Sequence, residues 1–362
     1  MPTLYATITN HGFGHATRMA SVLAVLQKQA PELKIIVAGT TPQWLLSEYL
    51  PQPFVYHYRS FDVGVVQSDS FMMDKAQTLQ KWQAIKEQQS EIISAEAQFL
   101  AQHRVDLVLA DIPHLAVAIA HRAGVPCWMM SNFGWDYIYR HWGQEFVAVA
   151  DWLSDSYAQC DRLFRLPFCE AMSSFPVIED VGLTGVPCNF SPADLYRKLH
   201  LSPQKFTVLL TFGGLSLHQI PYSNLKYFPD WQFITFDQNA PRLSNLTVVD
   251  RQYKIRPLDV MQICDRIVTK PGYGTLSEIY RSHKPVICLR RHDFAEADLL
   301  IAGVEEYMHH LIIDQEDFYH SDWHFLTADL HPPTINHTLA CDGEYAISGA
   351  VLNYLNCDGT AT

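Results

Sequence analysis

The sequence predicts an α/β protein of two domains, each built on a parallel β-sheet that helices cover on both faces. Apolar, strand-like segments alternate with segments of helical periodicity. The chain of 362 residues is long for a single hydrophobic core, and its alternation stops at a loop-rich passage, residues 182–205, and then starts again. Because ligands of such sheets bind outside the carboxyl ends of the strands, we expect the domains to face each other across a cleft.

The first half of the chain supplies the first sheet. Residues 74–104 contain neither glycine nor proline, so they predict one long amphipathic helix. The strand that follows is fully apolar, as a buried parallel strand should be. The predicted strands are residues 4–9, 34–39, 106–111 and 126–132, and shorter helices are predicted around residues 19–26 and at 114–124.

The passage at 182–205 is the expected linker, and a second alternating unit follows it. We place the first domain at residues 1–185 and the second at residues 186–342. The strands predicted in the second domain are residues 205–214, 231–237, 245–250, 266–272 and 285–291, with helices at 275–283 and 296–307.

Charge and cysteine content narrow the class of protein. Twenty-six basic and 38 acidic residues give a net charge of −12 without a run of lysine or arginine, so a nucleic-acid partner is not expected. The eight cysteines show neither a CxxC pair nor zinc-ligand spacing, which favours a reducing cytoplasm. The amino end has no basic signal region, and no run of about 18 apolar residues occurs, so we expect neither export nor a transmembrane segment.

The stretch NHGFGHATR, residues 10–18, contains two histidines and an arginine, which a structural turn does not require. Gly12 and Gly14 let the backbone pass close to a ligand, and the following helix offers free N–H groups to a phosphate or a hydroxyl. The spacing is not GxGxxG, so the standard dinucleotide fingerprint is absent. His15, at the helix start, is a candidate catalytic base and His11 a candidate ligand contact. The alternative is a tightly packed turn with two satisfied histidines.

Asp111 ends the apolar strand 106–111. A carboxylate at the carboxyl end of a parallel strand points to the same cleft rim as the first glycine turn, and a carboxylate behind an imidazole keeps the ring basic and oriented. His15 and Asp111 are therefore predicted to form a general-base pair. In the alternative, Asp111 caps a helix that begins near Pro113.

A second glycine turn, KPGYGTLSE, spans residues 270–278. Gly272 and Gly274 precede a predicted helix, as in the first turn. Glu278 could accept hydrogen bonds from ribose hydroxyls, as acids in nucleotide sites do. In the structural alternative, Thr275 caps the helix and Glu278 completes a capping box.

Cations and backbone donors for a diphosphate lie near the same predicted strand ends. Lys270, Arg290 and Arg291 supply the positive charge, and the glycines of FGGLS, Gly213 and Gly214, supply backbone N–H groups. The chain has no Asp-x-Asp pair to chelate a metal–diphosphate, so we expect a metal-independent site without a cofactor.

Six stretches together carry a family resemblance. The chain resembles the GT-B glycosyltransferases, and more closely the glycosyltransferase-like amino-terminal region of plant L-arabinokinases and related stand-alone bacterial, often cyanobacterial, glycosyltransferases. The matching stretches span nearly the whole chain and are residues 11–18, 106–111, 131–139, 270–278, 289–300 and 342–355.

The resemblance implies two Rossmann-like domains, with the acceptor bound mostly by the first and a nucleotide-sugar donor by the second. A last helix, which residues 343–356 fit, would cross back to the first domain. In many inverting members a histidine of the first glycine loop, supported by an aspartate, deprotonates the acceptor hydroxyl, and His15 and Asp111 match those positions.

The resemblance also implies donor contacts. A Gly-x-x-Ser-Glu pattern places its glutamate on the donor ribose, which corresponds to Glu278, and Glu296 is the nearest candidate for the donor-sugar hydroxyls. Ala295 stands where the arabinokinase-like pattern has an asparagine, which leaves the donor sugar open. No glycine-rich ATP-binding domain follows the last predicted helix, so sugar phosphorylation is not expected.

Residues 131–139, SNFGWDYIY, are expected to line the acceptor side of the cleft. Trp135, Asp136 and Tyr139 would stack on and hydrogen-bond to an acceptor, and the alternative for the tyrosines is a place in the core.

The hypothesis is an inverting, metal-independent transfer of a sugar from a nucleoside diphosphate sugar to the hydroxyl of a small molecule or glycan. Two rival functions are a non-hydrolysing nucleotide-sugar epimerase, which shares this architecture, and a non-catalytic protein that binds sugar nucleotides.

Overall fold

A computed structural model of the chain describes residues 1–67, 73–213, 217 and 219–356. Within these residues the first sheet has seven strands and the second has six, and every pair of neighbouring strands is parallel. The strands of the first sheet are β1 (Thr3–Ile8), β2 (Lys34–Gly39), β3 (Val55–Tyr58), β4 (Leu107–Asp111), β5 (Cys127–Ser131), β6 (Arg162–Arg165) and β7 (Ile178–Asp180). Those of the second sheet are β8 (Thr207–Leu210), β9 (Gln232–Thr235), β10 (Leu246–Val248), β11 (Arg266–Thr269), β12 (Val286–Leu289) and β13 (His310–Ile313).

Helices connect the strands and cover the sheets. Alternation of this kind produces right-handed crossovers, with the helices on both faces. The helices are α1 (Gly14–Gln29), α2 (Gln43–Tyr49), α3 (Lys75–His103), α4 (Leu115–Ala123), α5 (Trp135–Arg140), α6 (Val147–Tyr157), α7 (Pro192–Lys198), α8 (Pro257–Met261), α9 (Tyr273–Arg281), α10 (Ala295–Tyr307), α11 (Gln315–His320) and α12 (Gly343–Tyr354).

The strand orders place the start of each domain in the middle of its sheet. The first sheet runs β3-β2-β1-β4-β5-β6-β7 and the second runs β10-β9-β8-β11-β12-β13. The order reverses between β1 and β4 in the first sheet and between β8 and β11 in the second, and ligands of open parallel sheets bind at such a reversal. The predicted fold class, two parallel α/β sheets, is confirmed.

The sequence analysis does not predict β3, β6, β7 and β13. These strands are short and contain polar or exposed residues. β3 and β13 are edge strands, and β7 has only three residues, Ile178–Asp180, none of them buried. β6 has arginines at both ends, so its apolar pair, Leu163 and Phe164, is too short to give a strand pattern. Strand composition is clearest in strands buried on both faces, such as β4.

The last helix, α12, packs on the first domain. Ser348 Oγ donates a hydrogen bond to the Val22 carbonyl of α1 (3.1 Å), and the buried Ile347 and Val351 join the same apolar cluster as α1. Arg281 of α9 pairs with Glu344 of α12 at 2.9 Å. Helix α12 thus contacts both α1, which packs on the first sheet, and α9, which packs on the second.

Across the described ranges, no helix combines the length and the apolar composition that crossing a bilayer requires.

Candidate active site

A cavity lies where the carboxyl ends of the two sheets face each other. The space between its walls, together with the open solvent at its mouth, is about 710 Å³. Both glycine turns line it, together with side chains from the two domains. The lining residues are 11–15, 18, 67, 212–213, 269–275, 291 and 296.

The first glycine turn reaches this cavity because of the strand order. Ile8 at the end of β1 is paired with Asp111 at the end of β4, so the turn after β1 starts beside Asp111. Gly12 has φ of +60°, a left-handed conformation that glycine adopts without strain. The chain then enters α1 at Gly14, and this helix end lines the cavity.

His15 and Asp111 form the predicted pair. His15 Nδ1 lies 2.8 Å from Asp111 Oδ1, and both side chains are buried. Burial by itself raises the pKa of a carboxyl group, but Arg18 and His15 outweigh burial and hold the pKa of Asp111 below its usual value. If His15 Nδ1 donates to the ionised Asp111, Nε2 is the ring nitrogen that can take up a further proton. The capping alternative is wrong, because α4 begins at Leu115 without a side-chain cap.

Arg18 is a site residue to which the sequence analysis assigned no role. Its Nε lies 2.5 Å from Asp111 Oδ2 and its Nη2 lies 2.6 Å from Asp111 Oδ1, a bidentate pair. Burial lowers the pKa of the guanidinium, but Asp111 outweighs this effect and the pKa of Arg18 is raised. A signal was available, because residues three apart on a helix share a face and Arg18 follows His15 by three.

Asn132, just after β5, links the first domain to Glu296 of the second. Its Oδ1 accepts from Arg18 Nη1 at 2.6 Å, and its Nδ2 donates to Glu296 Oε1 at 2.9 Å. Glu296 lies in the first turn of α10 and lines the cavity, where it was expected to contact the donor sugar. A continuous polar chain therefore runs from His15 to Glu296 across the cleft.

His11 lines the cavity between aromatic rings. Its ring stacks on Phe294 with the centroids 5.6 Å apart and meets the Trp135 ring edge-on at 5.1 Å. Burial, followed by the nearby His15, Arg291 and Lys270, holds the pKa of His11 well below its usual value. His11 is thus a neutral ring at physiological pH.

The second-domain side of the cavity carries two of the three predicted cations. Lys270 and Arg291 both line it, and the Arg291 guanidinium lies 4.4 Å from the centre of the Phe294 ring. Burial, with the positive charge of Arg291 as the next cause, lowers the pKa of Lys270 to about 7. Gly213 adopts φ of +76° beside the end of the Lys270 side chain, and Gly214 lies outside the described residues.

The second glycine turn opens α9, which begins at Tyr273 after the N-cap residue Gly272. Gly272, Gly274 and Thr275 line the cavity. The capping-box alternative for Thr275 is wrong, because this residue already lies inside the helix and the helix start has no side-chain cap.

Glu278, one turn further along α9, lines a smaller cavity that shares Arg18 and Gly274 with the first. Its empty volume is about 250 Å³, and Tyr49 of α2 lines it as well. Burial raises the pKa of Glu278 to about 8, although Arg256 nearby opposes this. A nucleotide would have to extend past Gly274 to reach it.

The predicted contact residues that do not line the described cavities are Arg290, Trp135, Asp136 and Tyr139. Arg290 points away from the cleft, where its half-exposed side chain lies 3.5 Å from Asp314. Asp136 accepts from Ser174 at 2.6 Å. The other two, Trp135 and Tyr139, are fully buried.

The aromatic core explains these two residues. Trp135 Nε1 donates to Thr9 Oγ1 at 3.0 Å, below the histidine rings. The Tyr139 hydroxyl donates to the Gly64 carbonyl and accepts from Trp82 Nε1. Helix α5 turns these side chains toward the sheet, so the core alternative applies to Tyr139.

Within the described residues, no three histidine, cysteine or carboxylate side chains are grouped so that they could hold a metal ion. Metal independence and the absence of a cofactor remain predictions.

The sequence comparisons give one curated relative. No protein-family model matches the chain. L-arabinokinase from Arabidopsis thaliana is 25% identical over 325 residues, which cover 87% of this chain and 31% of the relative. The chain thus spans about a third of the length of that curated relative.

Solved structures of similar fold cover nearly the whole chain. CalG4, the calicheamicin glycosyltransferase, has a TM-score of 0.61 at 15% identity and covers 98% of this chain and 99% of its own. UGT89C1 from Arabidopsis thaliana, complexed with UDP, has a TM-score of 0.56 at 13% identity, covering 87% of this chain and 86% of its own. UGT2 from Phytolacca americana, complexed with UDP-2fluoro-glucose and pterostilbene, has a TM-score of 0.57 at 12% identity, covering 99% and 91%. At such identities the similarity is one of architecture: this chain has the GT-B glycosyltransferase fold.

Proposed function

We propose that this protein transfers a glycosyl unit from a nucleoside diphosphate sugar to an acceptor hydroxyl, with inversion and without a metal ion. The observation that carries the proposal is the His15–Asp111 pair at 2.8 Å on the wall of a cleft whose other wall bears Lys270 and Arg291. A base on one side and cations on the other are what such a transfer needs. The solved structures of the same fold that bind UDP support the choice of nucleotide class.

The proposed reaction begins with a proton transfer. Asp111 holds the Nδ1–H of His15, so Nε2 accepts the proton of the acceptor hydroxyl. The acceptor oxygen forms a bond to the anomeric carbon as the bond from that carbon to the diphosphate oxygen breaks. The diphosphate leaves with the bonding electron pair, and a single displacement inverts the anomeric configuration.

Positive charge stabilises the leaving diphosphate. Lys270, Arg291 and the first turn of α9 line the side of the cavity where that charge would develop. Glu296 would bind a donor-sugar hydroxyl, and Glu278 would reach the ribose if the nucleotide extends into the second cavity. His11 and the turn with Gly12 and Gly14 would contact the acceptor. We also expect a cytoplasmic location.

The experiment combines binding and turnover. The protein is first screened by thermal shift against UDP, GDP, ADP, TDP and CDP and their sugars, with and without Mg²⁺, because a bound ligand raises the melting temperature. Release of the nucleoside diphosphate is then measured with a panel of hydroxyl acceptors. His15→Ala should lower turnover by about 10²–10⁴-fold and retain nucleotide binding.

Turnover in His15→Ala equal to that of the wild type would refute the base assignment. Isomerisation of the donor without an acceptor would instead identify an epimerase. Nucleotide binding without turnover on any acceptor would favour a non-catalytic binding protein.

A further inference from the structure

Arg18 has more contacts than an ion pair needs. Besides the two oxygens of Asp111, its Nη2 donates to Ser131 Oγ at 2.9 Å and lies 2.8 Å from His15 Nδ1. Nη2 has two hydrogens for three neighbours, Asp111 Oδ1, Ser131 Oγ and His15 Nδ1. When Asp111 and Ser131 accept both hydrogens, His15 Nδ1 keeps its own proton and donates it to Asp111 Oδ1. When Nη2 donates to Nδ1 instead, the ring proton lies on Nε2.

We propose that Arg18 is a positioning residue for the base: its guanidinium fixes both oxygens of Asp111, so that His15 is held in one tautomer with Nε2 unprotonated. This inference rests on the proposed function, since it concerns the same base. Arg18 touches neither reacting atom and acts through Asp111.

The guanidinium is also the counter-charge of the buried Asp111. Arg18 compensates the charge of Asp111 and adds a like charge beside the ring. The titratable and charged groups around His15 are His11, Arg18 and Asp111 in the first domain and Lys270, Tyr273, Arg291 and Glu296 across the cavity.

Both domains hold Arg18 in place. Its Nη1 donates to Asn132, whose amide reaches Glu296 of the second domain. The guanidinium also lies 5.0 Å from the centre of the Tyr273 ring, at the start of α9. Docking of the second domain therefore completes the shell that orients Asp111, which couples the domain arrangement to the base.

The test follows the His15 ring by NMR in protein labelled with ¹⁵N-histidine and free of substrate. The His15 signals are assigned by their loss in His15→Gln. The wild type should carry its proton on Nδ1. In Arg18→Gln, where Asp111 is no longer fixed, we expect a mixture of the two ring tautomers.

Arg18→Lys covers the case in which Arg18→Gln does not fold. Lysine keeps the buried cation but holds only one carboxylate oxygen, so we expect a mixture of the two ring tautomers. Arg256→Gln is the matched control, because Arg256 forms a similarly buried bidentate pair with Asp259 (3.1 and 3.0 Å), and it should leave the His15 tautomer unchanged.

A pure Nδ1–H tautomer in folded Arg18→Gln or in Arg18→Lys would overturn the inference. The tautomer measurement needs no turnover. A failure to detect glycosyl transfer would therefore refute the proposed function without affecting this test.

Discussion

Gly14 and Gly274 bring the two domains into backbone contact at the cavity: a methyl group on Gly274 would lie 3.6 Å from Gly14 Cα and 3.2 Å from Thr17 Oγ1. Helices α1 and α9 both begin here, so their free N–H groups converge on one space. A methyl group on Gly274 would crowd the Thr17 hydroxyl, whereas one on Gly14 would make only an ordinary contact with Gly274 N at 3.9 Å.

Gly274→Ala should therefore disturb the cavity more than the fold. Alanine suits a helix better than glycine by up to about 1 kcal/mol, so the free energy of unfolding should change little. The new methyl group presses on the Thr17 hydroxyl and separates the two turns by a few tenths of an ångström. We expect UDP affinity, measured by isothermal titration calorimetry, to fall several-fold.

Two variants check the cause. Thr17→Ala in the Gly274→Ala background removes the contacting hydroxyl and should restore most of the affinity. Gly349→Ala in α12, where an added methyl group meets open space, should leave affinity unchanged. Unaltered UDP binding in Gly274→Ala would show that the cavity tolerates this separation.

Lys270 should make nucleotide binding depend on pH. Its pKa is lowered to about 7 by burial and Arg291, and a bound diphosphate would raise it again. The affinity for UDP should thus decrease as the pH rises above about 7, while below that pH Lys270 adds no pH dependence. At pH 8, calorimetry in two buffers of different ionisation enthalpy should reveal uptake of up to about one proton on binding.

Lys270→Met should abolish this proton uptake and weaken binding. Lys226→Met, at an exposed lysine of the second domain, should leave both quantities as in the wild type. Proton uptake that persists in Lys270→Met would assign the titration to another group.

Glu278 should lower stability at alkaline pH. Its pKa is raised from 4.5 to about 8 by burial, so between these values the folded chain keeps a proton that the unfolded chain has released. Stability therefore decreases as the pH rises through this range, and the contribution is complete below pH 4.5. Glu278→Gln should raise the melting temperature by about 1–3 °C at pH 8.5 and leave it unchanged at pH 4.5.

The same variant separates stability from ribose binding. If Glu278 contacts the donor ribose, Glu278→Gln should lose about tenfold in UDP affinity although it is the more stable protein. Glu87→Gln, on the exposed face of α3, is the control for both measurements. If Glu278→Gln is more stable but binds UDP with the wild-type affinity, Glu278 does not contact the ribose. Its role is then confined to packing between α1, α2 and α9.

Tyr139→Phe should cost stability without affecting binding. The Tyr139 hydroxyl accepts from Trp82 Nε1 at 2.6 Å, and its loss leaves a buried N–H group without this acceptor. Such a loss costs about 1–3 kcal/mol in the free energy of unfolding, which urea denaturation measures. Tyr345→Phe, at a residue that is 55% exposed, should change it by less than about 0.5 kcal/mol. Impaired UDP binding in Tyr139→Phe would show that Tyr139 contributes to the binding site.

The sequence by itself determined the sheet type and the strands buried on both faces. β2 lies at residues 34–39 and α3 lies within 74–104, as predicted. Periodicity depends only on neighbours along the chain, so it survives in a single sequence. The sequence also predicted that His15, after the glycine turn, and Asp111, at the end of β4, lie close together. The prediction needed only the glycine turn and the rule that the carboxyl ends of parallel strands share one edge of the sheet.

The tertiary structure decided which side chains meet. Arg290 and Arg291 are equivalent in the sequence, but only Arg291 faces the cavity, because neighbours at a strand end point to opposite sides. Arg18 and Asp111 are 93 residues apart, so their bidentate pair requires the β1–β4 register and the burial that docking of the second domain provides. Local pattern fixes which elements form, whereas register and domain packing, contacts between residues distant in the chain, fix the site.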